Sequence, residues 1–143
     1  MNRYKFRAWL KKEKKMVVPY GINFESKVIF YKEPYLDDEN MEEIKTASFD
    51  KIELMQYTRK LDVHDVEVCV YDIVKVHYEY ESYDGYVERS KLCVVKYVDE
   101  WCRVIFQYLY DKDGNYYSVE DLDMNDVEIV GNIYENKELL ENE

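Results

Sequence analysis

Parts of the chain, 3–9 and 72–80 above all, alternate apolar and polar residues with a period of two, which is the pattern of a half-buried β-strand. The clearest case is 72–80, where valines and tyrosines occupy one side and mostly polar residues the other. Aromatic and β-branched residues, which favour strands, are frequent throughout. Nine segments are predicted as strands: 3–9, 16–20, 27–31, 53–58, 72–80, 87–98, 101–110, 116–119 and 127–134.

Short turn signals separate these strands. An Asp-Gly pair within 83–86 is typical of a tight hairpin turn, and Asp99 with Glu100 is predicted as a two-residue loop. Other turns or loops are predicted at 11–15, 33–43 and 111–115.

The first strand is expected to have one apolar face, with Tyr4, Phe6 and Ala8. Its other face, with Arg3, Lys5, Arg7 and Trp9, is expected to be largely basic and solvated.

Closely spaced strands joined by short turns predict an all-β fold with antiparallel hairpins. We expect a small SH3-like or pseudo-barrel core, an N-terminal β lobe and a short C-terminal helix, which Asn136 would cap. A length of 143 residues suits one domain. Its predicted parts are a lobe over about 1–50, a core over about 51–133 and a helix over about 135–143.

Composition narrows the class of protein. The chain is too apolar for a disordered protein, and no apolar run is long enough for a membrane span. Four glycines leave no glycine-rich phosphate loop, so no cofactor is predicted. Three cysteines without a C-x-x-C spacing argue against a zinc module or a disulfide framework. Free thiols and the absence of a secretion signal predict a cytoplasmic protein.

Charge is uneven along the chain. The net charge is −11, but residues 1–15 carry seven basic residues and one acidic residue, a net +6. The rest of the chain is therefore strongly acidic, which argues against direct nucleic-acid binding. The basic start is interpreted as a solvated strand and turn, although it could contact an anion or the acidic tail of a neighbouring subunit.

One segment resembles a calcium-binding loop. Asp111, Asp113 and Asn115 occupy positions 1, 3 and 5 of the twelve-residue pattern. Position 6 is Tyr116, where glycine makes the sharp turn, and position 12 is Leu122, where a bidentate glutamate is needed. A hairpin turn is the better interpretation.

The remaining titratable clusters indicate no reaction. His64 lies in a polar stretch and His77 in the middle of a predicted strand, and neither has the spacing of a catalytic triad. The consecutive acids over 37–39 are interpreted as a solvated loop. No catalytic, cofactor-binding or metal-ligating residue is predicted, and the protein is not expected to be an enzyme.

Tyrosine is the unusual residue, with 16 copies that lie mostly on predicted strands. Tyrosine is enriched where one side of a residue is apolar and the other is wet, as in protein interfaces. We therefore expect a partner protein of the host or phage, a homo-oligomer, or both. Tyr78 and Tyr80 are the candidate interface residues.

Three blocks resemble the YopX-like family of bacterial prophage and phage proteins: YKFRAWLKKEKKMV over 4–17, LMQYT over 54–58 with DIVKV over 72–76, and VEIVGNIYENKELL over 127–140. The resemblance implies an all-β fold with a small barrel-like core and a flanking lobe. It also implies a phage or prophage origin and a bacterial cytoplasm. Glycine is missing from 59–71, where the family has glycine-bearing turns, so we expect a reshaped loop there.

These observations favour a non-enzymatic accessory protein that binds a protein partner or itself. Two alternatives remain open at this point. The first is an acidic decoy or antagonist of a host nucleic-acid-binding protein. The second is an enzyme whose metal ion is held by scattered acids.

Overall fold

The computed structural model describes residues 5–141, and the chain divides into two compact units between Gln56 and Tyr57. Strands account for 57% of the structure and helix for 12%, which confirms the all-β fold class. The strands form three antiparallel sheets that include a curled half-barrel. No helix within residues 5–141 is long and apolar enough to span a bilayer.

The first unit contains two small groups of three antiparallel strands. Its strands are β1 (Phe6–Leu10), β2 (Lys15–Val17), β3 (Gly21–Asn23), β4 (Val28–Pro34), β5 (Glu42–Ser48) and the first half of β6 (Ile52–Leu61). Strand β1 lies between β2 and β6, and β4 lies between β3 and β5. One core serves this unit and consists of Ala8, Leu10, Ile29, Tyr31 and Ile52.

The structure corrects several expectations in this unit. Strands β3 and β5 were not predicted, and β4 and β5 extend into both ends of the expected loop over 33–43. Strand β5 is polar and largely exposed. It is a strand because its backbone pairs with β4, and not because it has an apolar face. The basic face of β1 is not solvated, since Arg7 is 8% and Trp9 9% exposed. Tyr4 and the preceding residues lie outside the described part of the chain.

The second unit is built on a five-stranded antiparallel sheet. The unit contains the strands β7 (Glu67–Cys69), β8 (Asp72–Ser82), β9 (Gly85–Val98), β10 (Arg103–Tyr108), β11 (Tyr116–Ser118) and β12 (Val127–Asn132), of which all but β7 form this sheet. The sheet order is β11, β10, β9, β8, β12, while β7 pairs with the second half of β6. Alternate residues of β8, β9 and β10 face a core of Val68, Val74, Val76, Cys93, Val95, Phe106 and Val127.

Two local predictions in this unit are wrong. Pairing of β9 with β10 ends at Val98, and the connection is a 3-10 turn over Asp99–Trp101 closed by Cys102 at φ 52°. The predicted short C-terminal helix is present as a 3-10 turn over Lys137–Leu140, but its predicted cap is not. Asn136 precedes that turn without capping it, because its Oδ1 accepts a hydrogen bond from the backbone N–H of Asn132 instead.

The glycine-free segment over 59–71 contains left-handed turns after all. Arg59, Asp65 and Tyr71 have φ values of 69°, 62° and 71°. Arg59 lies in an irregular stretch of β6, where the register with β7 shifts. A left-handed backbone costs a residue other than glycine about 1–2 kcal/mol, so this segment keeps its turns at the expense of stability.

Candidate protein-interaction surface

A two-stranded hairpin extends beyond the sheet of the second unit. Strands β8 and β9 pair without interruption from Ile73 opposite Val94 to Ser82 opposite Gly85. Their neighbours stop much earlier, because β12 pairs with β8 only as far as Val76 and β10 pairs with β9 only from Cys93. Residues 77–91, here named the β8–β9 arm, therefore have no further strand beside them in the part of the chain that the structure describes.

Local sequence accounts for the shape of the arm. The polypeptide reverses direction at Tyr83 and Asp84, and Gly85 adopts φ +117°, which other residues rarely adopt. The Ser82 hydroxyl donates a hydrogen bond to the carbonyl oxygen of Gly85. The predicted hairpin turn is thus present. An isolated two-stranded hairpin is marginal in water, so the arm depends on how its base is held.

Aromatic packing holds that base. Tyr78 and Tyr80 continue the face of β8 that packs in the core, and their rings lie 6.4 Å apart at 25°. Lys91 Nζ lies 5.5 Å from the ring centroid of Tyr78 and 4.0 Å from that of Tyr108. Tyr108 in turn packs against Tyr117 at 5.0 Å, and burial raises the pKa of Tyr117 to about 12. Each cation–π contact contributes about 0.5–1 kcal/mol at exposed sites.

The exposed end of the arm carries further tyrosines. Tyr83 is fully exposed, Tyr86 is 77% exposed and Tyr80 is 45% exposed. Tyr78 is only partly exposed, so of the two residues singled out from the sequence, Tyr80 is the more accessible. Tyr83 and Tyr86 were not singled out, although their position on either side of the Asp-Gly pair already indicated the end of a hairpin.

The other face of the arm is acidic. Glu79 lies directly opposite Glu88, and Glu81 follows on the same side of β8. Within residues 5–141 none of these three carboxylates has an ion pair. The Arg89 guanidinium donates to the carbonyl oxygen of Glu88 instead. A cleft of about 540 Å³ at the base of the arm is lined by His77, Tyr78, Glu79, Glu88, Arg89 and Asp126.

The other candidate groups serve the backbone or remain exposed. His64 Nε2 lies 3.1 Å from Glu128 Oε2 in a hydrogen-bonding contact at the surface. Asp111 begins a hairpin turn, and its carboxylate accepts hydrogen bonds from the backbone N–H groups of Asp113 and Asn115. The acids over 37–39 lie in an exposed loop. No group of three or more potential metal ligands occurs within the described chain.

Asp62 is a buried carboxylate that accepts three backbone hydrogen bonds. It is 5% exposed and lies between β6 and β7. Its Oδ1 accepts hydrogen bonds from the N–H groups of His64 and Val66, at 2.9 and 3.0 Å, and its Oδ2 accepts one from Ile129 at 3.0 Å. Burial opposes ionisation, but these hydrogen bonds outweigh it and lower the pKa. The carboxylate thus fastens the turn after β6 to β12.

The sequence blocks that resemble a known family have structural roles here. Ala8 and Leu10 belong to the core of the first unit. In the last block, a Cβ on Gly131 would lie 2.4 Å from the Asn136 Oδ1, which accepts from the N–H of Asn132. Only glycine leaves room for that contact. These blocks specify the fold and not the arm.

Comparisons with known proteins agree with the fold. The family model described as YopX protein matches residues 5–141. Among solved structures, the crystal structure of protein EF1440 from Enterococcus faecalis is similar with 25% identity and a TM-score of 0.58. Protein yopX from Bacillus subtilis is similar in fold, with 24% identity and a TM-score of 0.55. Each match covers 99% of this chain and 100% of the other. Comparison with curated proteins gives no match.

Proposed function

We propose that this chain, which belongs to the YopX protein family, is a non-enzymatic protein-binding module that contacts its partner through the β8–β9 arm. The proposal includes an accessory role for a phage or prophage in the cytoplasm of a bacterial host, as the family resemblance implies.

The exposure of three tyrosines on one protruding hairpin carries this proposal. Tyr80, Tyr83 and Tyr86 are 45%, 104% and 77% exposed. Tyrosine contributes a large apolar surface and a hydroxyl that can still form a hydrogen bond, and few side-chain torsions are lost when it is immobilised. Such residues are frequent among those that dominate binding energy at interfaces. An exposed arm with three of them therefore suits contact with another protein.

The chemistry of three titratable groups supports the non-enzymatic part of the proposal. Asp62 and Asp111 accept hydrogen bonds from backbone N–H groups, which uses the carboxylates to hold turns. Burial raises the pKa of the Cys93 thiol to about 12, which disfavours the nucleophilic thiolate. These groups are arranged for stability.

Affinity capture from a bacterial lysate tests the proposal. The wild-type protein is compared with the double variant Tyr83→Ser/Tyr86→Ser and with Tyr35→Ser, a matched control at an exposed tyrosine outside the arm. We expect the wild type and the control to capture the same protein, and the double variant to lose it or bind at least about tenfold more weakly, since one lost anchor can be worth 2 kcal/mol or more. Identical capture by all three variants would overturn the role of the arm. A chain that captures nothing and sediments as a monomer would overturn the binding function.

A further inference from the structure

The outer edge of β8 in the arm is an open strand edge. Pairing with β12 ends at Val76, so the outward N–H and C=O groups over 77–82 have no strand beside them within the described residues. Proteins protect such edges with charged side chains, especially lysine, and with proline, bulges or very short strands. This stretch contains no lysine or proline, its register with β9 is continuous, and its acidic side chains are Glu79 and Glu81. It is therefore available for an added strand whose side chains suit these two glutamates.

Charge makes a second copy of this chain a poor occupant. Glu79 and Glu81 lie within the six residues of the edge. If two copies of this edge paired as antiparallel strands, Glu79 and Glu81 of one copy would lie close to Glu79 and Glu81 of the other. Like charges on facing strands are destabilising, so the edge disfavours self-pairing while it remains open to other sequences.

Charge also indicates which sequences would fit. Glu79 and Glu88 lie directly opposite each other, an arrangement that is unfavourable on its own. Basic side chains on a neighbouring strand would relieve the repulsion. The alternate residues of that strand would lie beside Tyr78 and Tyr80, where apolar or aromatic groups can pack on the rings. A partner strand that fits this edge would therefore alternate basic and apolar residues.

We infer that the edge of β8 over 77–82 binds an extended segment of a partner protein as an added antiparallel or parallel strand, with basic residues toward Glu79 and Glu81 and apolar residues toward Tyr78 and Tyr80. This inference rests on the proposed function and names the chemistry of the partner. Main-chain hydrogen bonds provide affinity in this mode, and alternate side chains provide specificity.

Fluorescence anisotropy with labelled eight-residue peptides tests the inference. The probe alternates Lys and Val. Its controls are a Glu–Val alternation, a block peptide of the same composition, and a Lys–Val peptide whose backbone is N-methylated at every residue. We expect the wild-type protein to bind only the first probe, and increasing salt to weaken that binding. Equal binding of the block or N-methylated peptide would overturn strand addition, since neither can supply the alternation with a full set of N–H donors.

Variants locate the site. Glu79→Gln/Glu81→Gln should weaken binding about tenfold, because two charge pairs are lost. Glu42→Gln/Glu43→Gln is the matched control at exposed acids of strand β5, which also lies at a sheet edge, and should bind like the wild type. Bound peptide should slow amide hydrogen exchange over 77–82. Protection elsewhere, or no binding at millimolar peptide, would overturn the inference. Failure of the peptide to bind would not change the tyrosine-dependent capture of a partner from lysate. The two experiments therefore distinguish a failure of strand addition from a failure of the proposed binding function.

Discussion

Replacement of Asp62 by Asn should destabilise the second unit through the loss of charged hydrogen bonds at a buried position. The wild-type carboxylate accepts three backbone N–H groups, two on Oδ1 and one from Ile129 on Oδ2. An amide has one accepting oxygen. If that oxygen retains the hydrogen bonds from the two N–H groups of the turn, the NH₂ group of the amide faces the N–H of Ile129. That N–H is then left without an acceptor.

The magnitude follows from these contacts. A hydrogen bond to a charged group contributes about 1.5–3 kcal/mol, and a buried donor left unsatisfied costs about 1–3 kcal/mol. The two remaining bonds weaken because their acceptor becomes neutral. We therefore expect Asp62→Asn to lower the free energy of unfolding by about 2–4 kcal/mol. Asp65→Asn, in the same turn but exposed, removes the same charge and should leave the free energy of unfolding nearly unchanged.

Urea unfolding followed by circular dichroism measures this difference, and hydrogen exchange of the Ile129 amide shows whether it arises at the expected contact. Exchange at Ile129 should accelerate in Asp62→Asn and stay slow in Asp65→Asn. Equal unfolding free energies for the two variants, or an unchanged Ile129 exchange rate, would contradict this role of the Asp62 carboxylate.

The pH dependence provides a second check on the same carboxylate. The pKa of Asp62 is lower in the folded protein than its ordinary value of 3.8. Its contribution to stability is therefore fully present above that value and is lost as the pH falls through the folded pKa. The stability gap between the wild type and Asp62→Asn should be constant near neutral pH and should narrow below about pH 4. A gap that stays constant under strong acid would show that the charge is not the cause.

Three further predictions concern the backbone and the thiols. Arg59→Gly should raise the melting temperature, because glycine relieves the left-handed φ, whereas Lys60→Gly on the same strand should lower it. Thermal unfolding of both variants tests this, and a lower melting temperature for Arg59→Gly would contradict it. Gly131→Ala should destabilise the protein by about 1–3 kcal/mol through its clash with Asn136. That penalty should shrink in an Asn136→Ala background, and a double-mutant cycle with additive effects would exclude the clash. One thiol of three, that of Cys102, should react rapidly with a thiol reagent in the native protein, because the other two are buried; rapid reaction of all three would contradict the described burial.

Elements with a strong local pattern could be predicted from the sequence. Strand β8 was predicted because alternation runs through it, and the turn into β9 because an Asp-Gly pair marks it. Interpretation of 111–115 as a hairpin turn rested on the same local chemistry. The surplus of tyrosine also pointed to β8, where Tyr80 is exposed at the candidate surface.

Other features depend on partners that are distant along the chain. Strand β5 is polar and has no apolar face to reveal it, so only its pairing with β4 makes it a strand. Arg7 lies in a basic segment that the sequence predicts to be solvated, yet its strand runs between two others and both faces are buried.

The all-β class, the family resemblance and the place of Tyr80 on a strand could be predicted from the residues alone, because they follow from side-chain order and turn chemistry. The protrusion of residues 77–91 as an arm could not. The arm exists because β12 stops pairing at Val76 and β10 pairs only from Cys93, and the ends of such long-range pairings depend on the packing of the whole sheet.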